Sequence, residues 1–197
     1  MRGIGDRTRS EPEKRNLLLD SAERTFCRLG YTRTTIAALA QDAGVTRPTV
    51  YAYFPSKDDV FRALAARVRD EFLALQEGIE SPSPSSTGRA GIIAYLHAYV
   101  RHRGMLTVIG HQALADPEMQ ALHDEIHQRA TRRHARFLTS LTEQGEATLA
   151  VPAPALAEMV TGIVMRFADL CAHDPQRLPE LTDDLVAAYY CLTGVHP

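Results

Sequence analysis

The 197 residues suffice for a single domain, or for a small module attached to a larger body. With 45% hydrophobic and 23% charged residues the composition is that of an ordinary globular protein. No uninterrupted apolar stretch approaches the roughly 18 residues of a membrane span, and the charged opening Met1–Arg15 lacks the apolar centre of a signal peptide. The formal charge of −2 conceals a division: residues 1–57 hold ten Lys/Arg against six acids, for +4, and the other 140 hold twelve against eighteen, for −6. A basic end on an acidic body suits a protein that docks one end on phosphate. The cysteines, Cys27, Cys171 and Cys191, show no C-x-x-C spacing and provide no structural zinc site. They read as buried, reduced thiols of a cytoplasmic protein.

The chain reads as all-α, with about nine helices. Ser10-Glu11-Pro12-Glu13 has the form of a capping box, with Ser10 as N-cap and Glu13 at the third helical position. Leu18, Ala22, Phe26 and Leu29 follow at helical spacing, and Gly30 is expected as a left-handed C-terminal cap. A second helix runs from a Thr34/Thr35 cap through Ile36, Leu39 and Ala40, and a third from Thr46 to about Phe54. Ser56-Lys57-Asp58-Asp59 is a further capping box, opening a fourth helix that buries Phe61, Leu64, Val68, Phe72 and Leu75. The stretch Ser81–Gly88, rich in serine and proline, reads as a surface loop. A fifth helix over about 88–102 and a shorter sixth are expected after it. Asp116-Pro117 caps a long seventh helix that stops at Gly145, and an eighth and ninth cover about 153–172 and 179–193.

The second and third helices have helix-turn-helix geometry. A three-residue link between crossing helices requires a left-handed backbone residue, which Gly44 supplies. Small Ala40 permits close approach, while Ile36, Leu39, Val45 and Val50 fill the wedge. Thr46 caps the third helix and Pro48 falls in its first turn, where a missing N–H costs nothing. Arg47, Thr49, Tyr51 and Tyr53 occupy the remaining face. Facing a major groove, arginine suits guanine O6/N7, threonine a base edge or thymine methyl, and tyrosine hydroxyls suit phosphate.

From Glu11 to Glu71 the sequence resembles the TetR family of bacterial repressors. The resemblance is carried by Leu19-Asp20-Ser21-Ala22-Glu23, Phe26, Gly30-Tyr31, Thr34-Thr35-Ile36-Ala37-Ala38-Leu39-Ala40, and the run Ala43 to Lys57. It implies a homodimer in which residues 11–71 bind duplex DNA and residues 72–197 form a helical ligand-binding and dimerisation domain. It also implies phosphate contacts from Thr35 and Thr46, base reading by Arg47, Pro48 and Thr49, and backbone contacts from Tyr51, Tyr53 and Lys57. Ile36-Ala37 stands where some relatives carry a base-reading arginine, so less readout is expected from the second helix. Arg7 and Arg9 are alternatives, as a minor-groove arm or a basic tail.

In the C-terminal body, Tyr95, Tyr99, His102, Met105, His127, Met159, Ile163 and Phe167 are candidate walls for a mostly apolar effector, or plain core. Leu156, Leu170, Leu185, Ala188, Tyr189 and Leu192 on the last two helices are candidates for the dimer seam. His123-Asp124-Glu125-Ile126-His127 approaches the H-E-x-x-H zinc signature, but its glutamate is one place late. No metal, cofactor or enzymatic activity is expected. The favoured reading is a repressor released from a palindromic operator by a small effector; the alternative is an architectural or cell-division DNA binder on the same scaffold.

Overall fold

The computed structural model describes residues 10–75 and 84–195. Arg7 and Arg9, weighed above as a possible arm, lie outside them. Among the described residues there are eight α-helices, a short 3₁₀ turn at Pro175–Arg177, and no strand. The helices are α1 (Glu11–Arg33), α2 (Ile36–Asp42), α3 (Arg47–Tyr53), α4 (Lys57–Ala74), α5 (Pro84–Ala113), α6 (Pro117–Glu143), α7 (Ala153–His173) and α8 (Leu178–Thr193). No helix among the described residues is long and apolar enough to cross a membrane.

The caps read from the sequence are made. The Ser10 N–H donates to Glu13 Oε2 at 2.7 Å, Ser56 Oγ accepts from the Asp59 N–H at 3.1 Å, and Asp116 Oδ1 accepts from the Glu118 N–H at 2.9 Å. Gly30 takes a positive φ of 72°, but its ψ of 171° is extended rather than left-handed helical, so α1 kinks there and resumes to Arg33.

Two expectations are corrected in α5. The expected break between a fifth and a sixth helix is absent: one helix of 30 residues runs straight through Gly104. A Cβ at Gly104 would lie 2.8 Å from Cys27 Sγ, so this glycine serves the close crossing of α5 on α1 and ends nothing. The expected loop at Ser81–Gly88 is helical from Pro84 onward, because proline at a first helical position lacks only an N–H that would have no partner there. Fusion of these elements leaves eight helices where nine were expected. The thiols differ too: Cys171 is buried, but Cys27 and Cys191 are exposed.

Helices α1–α3 form one end of the molecule, and α5, α6 and α7 pack on one another as the body, with α8 against α5 and α7. One continuous core joins them, from Leu18, Phe26, Leu39 and Val50 through Phe61, Leu64 and Phe72 to Leu96, Ile109 and Leu156. Helix α4 bridges the two ends, packing on α1, α5 and α6. Its contact with α1 is aromatic, with Phe61 edge-on to Phe26 at 5.1 Å and to Tyr31 at 5.0 Å.

Candidate nucleic-acid interface and cleft

Gly44, at φ 67°, makes the turn between α2 and α3, and the Val45 N–H closes it on Ala40 O at 2.9 Å. Leu39, Ala40, Val50 and Phe54 are buried beneath it, with Ile36, Ala43 and Val45 packed alongside. Thr35 Oγ1 caps α2 by accepting from the Ala38 N–H at 3.2 Å. Thr46 Oγ1 accepts from the Thr49 N–H at 3.4 Å and lies 2.9 Å from Thr49 Oγ1. With its inner face spent on the core, α3 turns Arg47, Pro48 and Tyr51 outward, Tyr51 being 53% exposed. Among the described residues the Arg47 side chain has no hydrogen-bond or ion-pair partner, whereas Arg24 and Arg28 on α1 are held by Asp42 at 2.9 and 3.4 Å. An unpaired guanidinium beside exposed threonines at the start of a short helix can meet a base edge without first breaking an internal bond.

Two of the expected contacts are already engaged. Lys57 Nζ donates to Tyr31 O at 3.1 Å and sits 4.1 Å from the Tyr31 ring centroid. The Tyr53 hydroxyl donates to Glu11 Oε2 at 2.7 Å. Both side chains must exchange these partners to reach a phosphate. Tyr31 is itself anchored: burial, followed by its hydrogen bond to Asp58, pushes its pKa up to about 12.

In the body, α5, α6 and α7 line an open cleft whose empty space, solvent at its mouth included, is about 790 Å³, with Leu75 and Tyr189 also on its walls. Its walls are two stripes at helical spacing, Gly88, Gly91, Ile92 and Tyr95 on α5 and Ala130, Arg133, His134 and Phe137 on α6, with Val160 and Thr161 on α7. Gly88 admits Tyr189, whose hydroxyl would lie 2.8 Å from a Cβ there. His134 stacks on Tyr189 at 5.6 Å, and its Nε2 lies 3.3 Å from the Tyr189 hydroxyl. Burial holds His134 neutral, with its pKa pushed down to about 4.

Among the eight side chains expected to line a pocket, Tyr95 alone borders this cleft. Tyr99 and Met105 are core, and Ile163 and Phe167 pack beside it. Met159 is 47% exposed on the outer face of α7. His127 is partly buried and bonds Tyr99 through Nδ1, with its Nε2 3.0 Å from His123 Nε2. His102, 4% exposed, lies between two carboxylates: Nε2 is 2.8 Å from Glu71 on α4 and Nδ1 is 3.5 Å from Glu23 on α1. Arg67 on α4 adds ion pairs to Asp20 and Glu23 on α1 at 2.7 and 2.8 Å. The residues that sequence reasoning missed, Arg133, His134 and Phe137 among them, carry a signal only once α5 and α6 are known to face each other.

The residues expected at the dimer seam divide by their exposure in the single protomer. Leu156, Leu185 and Tyr189 are buried inside the protomer, at 0%, 1% and 2% exposure, because they pack α7 and α8 against α5 and α6. Leu170, Ala188 and Leu192 are part-exposed. The outward faces of these two helices present Met159, Gly162, Ala187 and Cys191 instead.

A family profile described as "Bacterial regulatory proteins, tetR family" matches residues 18–64. The transcriptional regulator EthR of Mycobacterium tuberculosis is 31% identical over 149 residues, covering 72% of this chain and 68% of its own. The transcriptional repressor BepR of Brucella suis is 26% identical over 177 residues, 85% of each chain. Among solved structures, a TetR-like transcriptional regulator from Rhodococcus sp. RHA1 superposes with a TM-score of 0.73 at 24% identity, covering 93% of this chain and 98% of that one.

Proposed function

Because the chain belongs to the TetR family of bacterial transcriptional regulators, we propose that it is a repressor that binds a palindromic operator as a homodimer and leaves it when a small effector fills the cleft. Residues 11–71 read DNA and residues 72–197 bind the effector and the second subunit, in the cytoplasm. Thr35, Thr46, Arg47, Pro48, Thr49 and Tyr51 meet the duplex directly; Tyr53 and Lys57 join after releasing Glu11 and Tyr31. The observation that carries the reading is the exposed Arg47 guanidinium on a helix whose opposite face packs Val50 into the core.

The dimer follows from specificity. One seven-residue helix reads too few base pairs to single out a genomic site. Two copies related by a two-fold axis, about 34–36 Å apart or a multiple of that, face successive major grooves. The outward Met159, Gly162, Ala187 and Cys191 surface of α7 and α8 is the face offered for pairing.

Release runs through α4. Its first turn is capped by Ser56, three residues past the end of α3, and Leu75, just after its last turn, borders the cleft. Arg67, Glu71 and His102 tie it to α1 and α5, so α1 and α4 move together. A ligand that favours one tilt of this pair changes the separation of the two reading helices. Coupling of about 1–3 kcal/mol corresponds to a roughly 5- to 150-fold loss of operator affinity, with an equal loss of effector affinity on DNA. The test is to select bound sequences from genomic fragments, then titrate them with and without compounds that thermally stabilise the protein. Stabilising compounds that leave operator affinity untouched would favour an architectural DNA binder instead.

A further inference from the structure

Taking the cleft as the effector site, as proposed above, we infer that its ligand is an amphipathic anion: an apolar body held between α5, α6 and α7, with its charge at the mouth on Arg133 and an acceptor oxygen for the Tyr95 hydroxyl. The body is dictated by the walls. Ile92, Phe137, Val160 and the Tyr189 ring offer contact to hydrocarbon or aromatic surface and little else. A ligand polar throughout would lose its hydration there without replacement.

The sign of the charge follows from what the lining contains and lacks. Among the described residues no carboxylate borders the cleft. Its one full charge among the described residues is Arg133, which is exposed and has no ion-pair or hydrogen-bond partner among them. Many other arginines of the protein are paired, among them Arg67 with Asp20 and Glu23, Arg103 with Asp169 and Arg177 with Glu180. A lipophilic cation would therefore meet a like charge at the mouth and no counter-charge within. Glu158, the acid whose field reaches Tyr95, stands on the exposed surface of α7 and is not part of the lining.

The position of the charge follows from the interior. His134 is neutral, and the Tyr95 phenol keeps its proton because burial pushes its pKa up to about 12. An ionised group carried inside would find only neutral dipoles, so it stays where Arg133 and water share it. The buried Tyr95 hydroxyl stands near those of Tyr99 and Thr161 but completes a well-formed hydrogen bond with none of the described residues. Natively folded proteins rarely leave such a donor unmet, and a ligand oxygen satisfies it.

The test uses the full chain and four probes that share one tail, each below its micellar concentration: decanoate, decyl sulfate, decanol and decyltrimethylammonium. Calorimetric titration should show both anions binding about five- to tenfold more tightly than decanol, and the cation not binding. Arg133→Gln, at an exposed position, should remove that preference and leave decanol affinity unchanged. Equal binding of decanol and decanoate to the wild type, a preference that survives in Arg133→Gln, tighter binding of the cation, or no binding of any probe would each overturn the inference. Operator affinity measured beside these titrations separates the two proposals. Release by decanol or the cation keeps the effector reading and sinks the anion; anion binding without release keeps the chemistry of the cleft and sinks its regulatory role.

Discussion

Replacing Lys57 by methionine should damage the fold and the DNA contact together, whereas replacing Arg47 by alanine should damage only the contact. In the free protein the Lys57 ammonium donates to Tyr31 O at 3.1 Å and lies 4.1 Å from the Tyr31 ring centroid. The hydrogen bond contributes about 1 kcal/mol net, and the cation–ring contact about 0.5–1 kcal/mol at a partly exposed site. Together they predict a loss of about 1.5–2 kcal/mol, which lowers the Tm of a chain this size by about 3–7 °C. Arg47 is exposed and has no bonding partner among the described residues, so its removal should stay within about 0.5 kcal/mol. On DNA the order reverses: Arg47→Ala should cost about 1–3 kcal/mol per half-site and relax preference at one base pair. Lys57→Met should weaken every duplex about equally and reduce the salt slope by about 1 per subunit. Thermal melts, with titrations of matched and scrambled duplexes at several salt concentrations, separate these outcomes. An unchanged Tm for Lys57→Met, or an equal fall for Arg47→Ala, would refute the reasoning.

The buried histidines predict opposite pH dependences. Burial, with the nearby His123 charge adding for His127, holds His127 and His134 near 4 against about 6.5 when unfolded, so the native state binds fewer protons between those values. Stability should be complete above pH 6.5 and drain as pH falls toward 4; His134→Phe should flatten that acid limb in a series of melts, and an unchanged limb would exclude His134 as its source. Burial alone would lower the pKa of His102, but Glu23 and Glu71 outweigh it and raise the value. Its contribution is therefore complete below pH 6.5 and lost as pH rises through the folded value, so His102→Gln should destabilise most at low pH and least at high pH. Gly104→Ala should destabilise by about 1 kcal/mol through its 2.8 Å clash with Cys27 Sγ, and Cys27→Ala should relieve most of it; additive effects in the double variant would show that the two sites do not meet. Ala187→Arg, on the outward face of α8, should yield folded monomers in sedimentation, whereas a dimer of normal stability would place the seam elsewhere.

Local chemistry made the DNA-reading end legible in the sequence. Ser10 with Glu13, Ser56 with Asp59, Thr46 before Pro48, and Gly44 in the turn each act within four residues of themselves, so spacing alone reveals them. The body was less legible because its determinants are contacts between distant segments. A break after about residue 102 is the natural reading of the sequence, and the place of Gly104 follows only once Cys27 is known to lie against it. Tyr189 looks like seam until Gly88 and His134 are seen to enclose it. The two stripes of the cleft have perfect helical spacing, but an apolar stripe facing a cavity and one facing core are identical in sequence. Lys57 is legible in the sequence as part of a capping box, yet its grip on Tyr31, 26 residues earlier, follows only from the packing of α1 on α4.

Two copies of the Arg47 helix engaging one site at once is the claim on which the rest depends, and spacing tests it most directly. Once bound fragments have been selected from genomic DNA, half a turn, about five base pairs, is inserted between the half-sites of the tightest one. The intact site should bind with a log–log salt slope of about −7, for about four phosphates per subunit, and the insertion should cost about 100-fold or more because the second helix then faces the wrong side of the duplex. Unchanged affinity after the insertion, with the slope preserved, would contradict a two-fold dimer reading both half-sites.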